Sequence, residues 1–492
     1  MSYESEVHGG IKWISISIVL TRVTRVLTTL LLARLLAPEM FGLVGMAHAT
    51  LEILRTIREM GFGSAYIQRQ DQDPDRQLLA ANTTFWLGVV VNFALFAIAF
   101  GLTPHIAAFF RSSAVEPVLR VMFVTFLLDA LSSVPALDLQ KKLDFRRLAI
   151  CEVITSVVYA VVAIAMAVLG AGVWSLVVGT LISSAVYALS LYQVSTWRPK
   201  LEFDLRIARE LFDYGKYIWA FVLLSGIGEA MDKLIVGRYY GETHLGIYTI
   251  AFVLCTFPSK YITSMVNRLT FPLFSKLQSD VKVLKDAVMK SVSHVSILSF
   301  PMAIGLLAVA PELVDVLLGS KWTGVLPLIN VLAFYGLVLS IAAVTGPAFK
   351  AMGKPNVLFY TSVVHHSIKI TLLFVFRDQG LIGICYAVFI PILISSLIAF
   401  VCIRKLLNCS IAELAIPILR PAVAAALMFI AVRYLGDAVQ SGAGLAPILE
   451  LSLFISAGVI VYIAMSLITN RAVMIEFSNS IVKILHGHRR AA

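Results

Sequence analysis

The sequence predicts an all-α polytopic membrane protein of about 14 transmembrane helices, arranged as two parallel six-helix lobes followed by two C-terminal helices. Three observations carry that expectation. Of the 492 residues, 59% are hydrophobic and 14% charged, with a mean hydropathy of +0.88, whereas a soluble chain keeps about a quarter of its residues charged. Apolar runs of about 20 residues, the length that crosses a bilayer as a helix, recur along the chain. Short motifs of the first half also return in the second at a nearly constant offset. The net charge of +11 would suggest a nucleic-acid partner in a soluble protein. Here it reads as cationic residues placed in cytoplasmic loops, so no nucleic acid is expected.

In order, the expected spans are 11–36, 41–66, 82–104, 115–139, 148–169, 172–195, 215–240, 245–271, 291–318, 325–349, 356–376, 381–403, 418–436 and 446–468. They group into an N-terminal lobe (1–200), a C-terminal lobe (201–405), two extra helices (406–470) and a cytoplasmic amphipathic tail (471–492). With both termini inside, the inside segments hold about 25 Lys and Arg and the outside loops hold 5, namely Arg111, Arg120, Lys321, Arg377 and Arg433. By the positive-inside rule this bias sets the orientation. No cleavable signal peptide is expected, because the first apolar run is long, carries arginines and lacks a small-residue cleavage site.

Three segments, Phe203 to Tyr214, Leu277 to Val288 and Ala472 to Leu485, alternate apolar and charged residues as surface-lying helices do. The five cysteines, Cys151, Cys255, Cys385, Cys402 and Cys409, fall mostly in apolar runs with no CxxC spacing. They read as packed small hydrophobes, and no metal site or cofactor is expected.

The repeat pairs Ala33-Arg34-Leu35-Leu36 and Phe41-Gly42-Leu43-Val44 with Gly237-Arg238-Tyr239-Tyr240 and Leu245-Gly246-Ile247-Tyr248, an offset of 204. Val134-Pro135-Ala136 aligns with Gly346-Pro347-Ala348, and Ala171-Gly172-Val173-Trp174 with Ile382-Gly383-Ile384-Cys385. The period holds six spans, an even number, so the copies run the same way through the membrane. That is a transporter architecture, with the site near the midplane at the repeat interface.

The charged residues inside the spans are the candidate site. A charge at the centre of a membrane helix costs roughly 2.5–3.5 kcal/mol on insertion scales, so such residues face a wet interior. Arg22 and Arg25 share one face of the first span, and Arg55 and Arg58 one face of the second. Two such pairs lining one cavity make a site for an anion. Lys233, Lys260, Arg268 and Lys369 are the candidate cations of the second lobe. The alternative is internal pairing, Glu52 with Arg55 and Arg55 with Glu59, at helical spacing. Arg34 and Arg238, at equivalent repeat positions near span ends, are expected to snorkel.

Glu52, Glu59, Asp129 and Asp232 are candidates for ion coupling, together with Asp138, Glu152 and Glu229; the alternative is that these acids offset the cavity cations. His365 and His366 precede Lys369 by four and three residues, a spacing that serves either a pH-sensitive gate or packing inside the bundle. There is no Gly-x-x-x-x-Gly-Lys-Ser/Thr loop, and Ala351-Met352-Gly353-Lys354-Pro355 lacks its spacing, so direct ATP use is not expected. Loops are too short to house a catalytic domain, and no Ser/His/Asp set is placed for nucleophilic chemistry. The chain is not expected to be an enzyme.

Several stretches resemble polysaccharide transporters of the multidrug/oligosaccharidyl-lipid/polysaccharide flippase superfamily, and in particular the Wzx-type exporters. They are Ala33-Arg34-Leu35-Leu36-Ala37-Pro38-Glu39-Met40-Phe41-Gly42-Leu43, Met60-Gly61-Phe62-Gly63-Ser64-Ala65-Tyr66-Ile67-Gln68-Arg69-Gln70-Asp71 and Phe85-Trp86-Leu87. Gly172-Val173-Trp174-Ser175-Leu176, Trp197-Arg198-Pro199 and Asp232-Lys233-Leu234-Ile235-Val236-Gly237-Arg238 continue the series. Phe271-Pro272-Leu273-Phe274-Ser275-Lys276-Leu277-Gln278 and Gly319-Ser320-Lys321-Trp322 complete it.

The resemblance implies a V-shaped, two-lobed fold in the bacterial inner membrane. It also implies flipping of polyprenyl-pyrophosphate-linked oligosaccharide by alternating access, for exopolysaccharide or lipopolysaccharide biosynthesis. Arginine suits the pyrophosphate, being always charged and able to clasp phosphate with two parallel donors. Trp174, Tyr159 and Tyr248 are candidates to stack on sugar rings, with interfacial anchoring as the alternative. Membrane lipid and the polysaccharide polymerase and co-polymerase are the expected partners. The rival readings are a multidrug antiporter of the same superfamily and a membrane-embedded glycan polymerase or ligase.

Overall fold

The structure, a computed structural model, describes residues 3–69, 73–440, 446–471 and 473–475. Among them it is helical, with no strand. The chain divides into two compact units, Met1–Thr249 and Ile250–Ala492.

The first unit contains α1 (Tyr3–Leu35), α2 (Pro38–Arg58), α3 (Phe62–Gln68), α4 (Pro74–Phe110), α5 (Val115–Met122), α6 (Val124–Lys141), α7 (Phe145–Val168) and α8 (Val173–Val194), then the start of α9 (Leu205–Leu277). Within it α1 packs on α7, α7 on α8, and α6 on both α4 and α8. The second unit continues with α10 (Val281–Ala308), α11 (Ala310–Leu317), α12 (Leu326–Ala342), α13 (Thr345–Ala351), α14 (Pro355–Val375), α15 (Gly380–Leu406), α16 (Ile411–Gln440) and α17 (Pro447–Thr469). There α10 packs on α12 and α16, α15 on α12 and α14, and α16 on α17.

Eleven of the described helices are long and apolar enough to cross a membrane. The expected count of fourteen differs in identifiable places. It includes α1 and α2, which carry the arginine pairs, and it divides α9 in two. The division has a physical basis, because Gly241 inside α9 is non-helical, with φ 79° and ψ −175°. Large apolar side chains such as Leu27, Phe93, Val161 and Ile460 are exposed, while Asn82, Asn92 and Ser175 are buried. Hydrocarbon is as apolar as leucine, so burial of such side chains gains little there and they face outward. The protein is a multi-pass membrane protein.

Carbonyls at helix C-termini find donors within the first unit. Trp219 Nε1 donates to Ile57 O at 3.0 Å, at the end of α2. Arg238 donates to Ala108 O at 3.2 Å and to Phe109 O, at the end of α4. These are groups that a helix leaves without intrahelical partners. Arg238 therefore closes a helix end, which is a more specific role than snorkelling. Four of the five cysteines are buried and none forms a disulfide.

Of the three segments expected to lie on the membrane surface, 203–214 enters α9 with Ile207, Ala208 and Leu211 buried and Arg206, Arg209 and Asp213 exposed. The second breaks after Leu277 and re-enters α10 with Leu284 and Val288 buried. The third, Ala472 to Leu485, lies outside the described residues apart from 473–475.

The repeat seen in sequence meets itself in space. A Cβ on Gly42 would sit 1.7 Å from Glu242 O, and one on Gly246 would sit 1.9 Å from Pro38 O. Thr243 donates to Glu39 Oε1 at 3.1 Å, again across an offset of 204. Equivalent ends of the two repeats thus cross backbone to backbone, as small residues allow in membrane helices. Gly42→Ala or Gly246→Ala should destabilise the protein by about 1–3 kcal/mol through overpacking, read as a lower thermal midpoint in detergent. Gly101→Ala, with no atom within 4 Å of the added Cβ, should be neutral or stabilising by up to about 1 kcal/mol. An unchanged midpoint for Gly42→Ala would contradict the crossing.

Candidate functional site

Five helices of the first unit surround a cavity of about 590 Å³. Four of them contribute polar residues at helical spacing within an apolar sequence, and α6 contributes a single carboxylate. From α1 come Thr21, Arg22, Arg25 and Thr29; from α2, His48 and Arg55; from α6, Asp129. From α7 come Glu152, Thr155 and Tyr159, and from α8, Thr180, Ser183, Ser184 and Tyr187. Residues three, four or seven apart share a helix face, so each stripe points one way while the remaining faces stay apolar. The hydroxyls bond within their own helices: Thr21 donates to Ser17 O at 2.6 Å, Thr155 to Cys151 O at 2.8 Å and Thr180 to Leu176 O at 2.8 Å.

The charges are unevenly compensated. Asp129 accepts from Arg58 at 2.6 Å and stands 3.4 Å from Arg55 Nε, so one carboxylate serves both arginines of α2. Glu52 is taken by Lys233 of α9 at 2.9 Å. The alternative pairings that spacing along α2 allows, Glu52 with Arg55 and Arg55 with Glu59, are not the ones formed. The side chains one turn apart instead point to different helices. Glu152 lines the cavity and accepts from Ser17 at 3.4 Å. Among the described residues neither Arg22 nor Arg25 has an acidic partner within ion-pair distance. The cavity therefore holds three arginines against two carboxylates and presents unmatched positive charge.

Of the other expected residues, Arg58 and Glu59 line a second cavity on the far side of Asp129. Lys233 is half-buried in its ion pair. Asp232 is buried and accepts from Tyr248 at 2.6 Å. Tyr248 is thus a core residue and not a stacking platform, since its hydroxyl is bound and its ring fully buried. Tyr159 does face the arginine cavity, and Trp174 is partly exposed in the first turn of α8. Asp138 pairs with Lys142 at 2.8 Å.

Lys260, Arg268 and Lys369 belong to the second unit. Lys260 lies 5.9 Å from the Phe252 ring centroid, and Lys369 is buried on α14. The side chain of Arg268 lies outside those described. Beside Lys369, His365 contacts the His366 ring at 5.0 Å and Ser395 Oγ at 3.4 Å, a packed arrangement inside the second unit.

Reasoning from charged residues alone missed His48 and the hydroxyl lining. Their signal was present as the period of the polar residues: His48, Glu52 and Arg55 on α2, Glu152, Thr155 and Tyr159 on α7, and Thr180, Ser183, Ser184 and Tyr187 on α8.

Removing the shared carboxylate leaves two arginines without their counter-charge in a low-dielectric setting, a loss that is large when partners are buried. With these side chains about a quarter exposed, Asp129→Asn should cost about 1–3 kcal/mol of stability after allowing for solvent screening. A double-mutant cycle of Asp129→Asn with Arg58→Gln, followed by thermal midpoints, should show a coupling of about 0.5–3 kcal/mol. Strict additivity would exclude the pair as a stabilising contact.

Residues 31–327 match the model of a family described as polysaccharide biosynthesis protein. The teichuronic acid biosynthesis protein TuaB of Bacillus subtilis is 27% identical over 362 residues, 73% of this chain and 74% of its own. The lipopolysaccharide biosynthesis protein WzxC of Escherichia coli is 24% identical over 418 residues, 83% of each chain. The succinoglycan biosynthesis transport protein ExoT of Rhizobium meliloti is 27% identical over 339 residues, 68% of this chain and 67% of its own. Among solved structures, the lipid II flippase MurJ in an inward closed conformation superposes with a TM-score of 0.77 at 15% identity, covering 94% of this chain and 99% of that one. An inward-facing multidrug resistance MATE family transporter of the MOP superfamily gives 0.63 at 16% identity, covering 81% of this chain and 98% of that one. The likeness to both is one of fold.

Proposed function

The chain belongs to the polysaccharide biosynthesis protein family, and from that premise we propose that it is a flippase for polyprenyl-pyrophosphate-linked oligosaccharide. The observation that carries the reading is the arginine cavity, where Arg22, Arg25 and Arg55 face the same space and only part of their charge is answered. A doubly charged phosphate head cannot cross hydrocarbon unaided. Guanidinium groups replace its hydration with fixed, bidentate donors. Proteins named for polysaccharide biosynthesis and transport at similar length, and the fold shared with a lipid II flippase, support the same substrate class.

The second unit offers a place for a lipid chain. An apolar groove of about 620 Å³ is lined by Pro301, Met302, Gly305, Met428, Phe454 and Tyr462, drawn from α10, α16 and α17. A polyprenyl tail resting there stays in an apolar medium, as it does in the surrounding hydrocarbon. On this reading the protein is a transporter and not an enzyme. It sits in the bacterial inner membrane with both termini cytoplasmic, hands its substrate to the polymerase machinery, and uses alternating access between two repeats that run the same way through the bilayer. The positive-inside distribution of lysine and arginine supports the orientation.

The reading is tested by the leaflet position of lipid-linked oligosaccharide in cells lacking the protein, complemented with wild type or with Arg25→Ala. Completed units should accumulate on the cytoplasmic leaflet, and wild type should relieve the block. Arg25→Ala should transport about 10–100-fold more slowly, the loss expected for one charged hydrogen-bonding group. Finished but unpolymerised units on the outer leaflet would instead indicate an assembly enzyme.

A further inference from the structure

On the far side of Asp129 the first unit holds a second cavity, of about 540 Å³, within the range of small-ligand sites. Its charge differs from that of the arginine cavity, with one arginine, Arg58, against two carboxylates, Asp129 and Glu59. Thr84, Ser132 and Ser133 have already committed their hydroxyl protons to the carbonyls of Ala80, Asp129 and Ala130, at 2.7, 3.1 and 2.9 Å. The Asn92 amide donates to Gly88 O at 2.8 Å. Its Oδ1 is buried without a partner, in a side chain 3% exposed that lines the cavity. Asn92 Oδ1 is thus an open acceptor in a lining that Ser64, Gln140 and Tyr187 complete with groups able to donate and accept.

Arg58 is held by Asp129, and Glu59 adds a further carboxylate. Such a lining repels an anion and leaves a buried acceptor unsatisfied until a donor arrives. The partner that fits brings several O–H or N–H donors without negative charge. Phe62 and Tyr187, which also line the cavity, supply flat apolar faces of the kind that aromatic side chains present beside polar groups.

We propose that this cavity is a saccharide subsite, taking a neutral sugar residue through Asn92 Oδ1 and the Thr84, Ser132 and Ser133 oxygens while the arginine cavity takes the anion. The proposal rests on the flippase reading for its substrate, and adds to it a division of the head group between two chambers. Asp129 and Tyr187 line both chambers, so they form the partition between the phosphate side and the sugar side.

The test uses the full-length protein in detergent, with inorganic pyrophosphate and a panel of neutral methyl hexosides as separate probes, followed by saturation-transfer NMR in sodium and in choline buffer. At least one glycoside should bind, and Asn92→Leu should weaken it about threefold to tenfold, one hydrogen bond's worth. Gly88→Ala places a methyl 3.7 Å from Ser133 Oγ, an ordinary contact in a helix that favours alanine. It should weaken the glycoside without lowering the thermal midpoint.

Both variants should leave pyrophosphate binding unchanged, and Arg25→Ala should do the reverse. Absence of glycoside binding, or binding indifferent to both variants, overturns the proposal. So does a sodium-dependent rise in midpoint that Asn92→Leu abolishes while no glycoside binds, since the acceptors then serve a cation. Glycoside binding that depends on Asn92, with no pyrophosphate binding at all, would support the saccharide subsite and overturn the arginine cavity as the phosphate site.

Discussion

A single carboxylate shared by two arginines is the interaction around which the first unit is arranged. Asp129 on α6 holds Arg55 and Arg58 of α2, and Glu52, one turn earlier on α2, holds Lys233 of α9. Ions inside an apolar bundle are tolerated when paired and hydrogen-bonded, and they are costly otherwise. These pairs tie α2 on one side to α6 and on the other to α9. They also decide which cations are left over. Because Asp129 is spent on α2, the arginines of α1 face the cavity without an acid of their own.

That remainder gives the site its chemistry. A cavity with surplus guanidinium attracts an anion, and its rim of threonine, serine and tyrosine hydroxyls keeps it wet within helices that are otherwise apolar. Across Asp129 the balance of charge inverts, with Arg58 held by Asp129 and Glu59 adding a second carboxylate. Serine and threonine hydroxyls of both linings donate to the carbonyl three or four residues earlier in their own helix. That habit leaves their oxygen atoms as acceptors toward either chamber. One unit presents, side by side, surfaces suited to charge and to neutral hydroxyls.

Duplication bears on the fold as well as the site. Gly42 and Gly246 occupy equivalent positions in the two repeats, and each admits the other's neighbouring backbone where a methyl group would collide. Gly61, in a left-handed conformation with φ 76°, does the same against Gly215 at the turn after α2. Both crossings involve the chain segments on either side of the charged stretch of α2. The positions of Glu52, Arg55 and Arg58 thereby depend on close backbone contacts as well as on ion pairs.

The sequence by itself determined the membrane class, most span positions, the repeated motifs and the face that Arg22 and Arg25 share. All of these follow from hydropathy, charge and helical period, which are properties of neighbouring residues. Arg55 and Arg58, expected on one cavity, line two. Tertiary structure decided the partners. Spacing on α2 allowed Glu52 to pair with Arg55, yet its partner is Lys233, 181 residues away. Spacing also could not tell that Tyr248 turns inward to Asp232 while Tyr159 turns to the cavity. Period identifies residues that share a face, and only the packing of one helix on another settles what that face meets. The hydroxyl linings were present in the sequence as polar stripes, but they became two chambers only when Asp129 and Tyr187 were set between them.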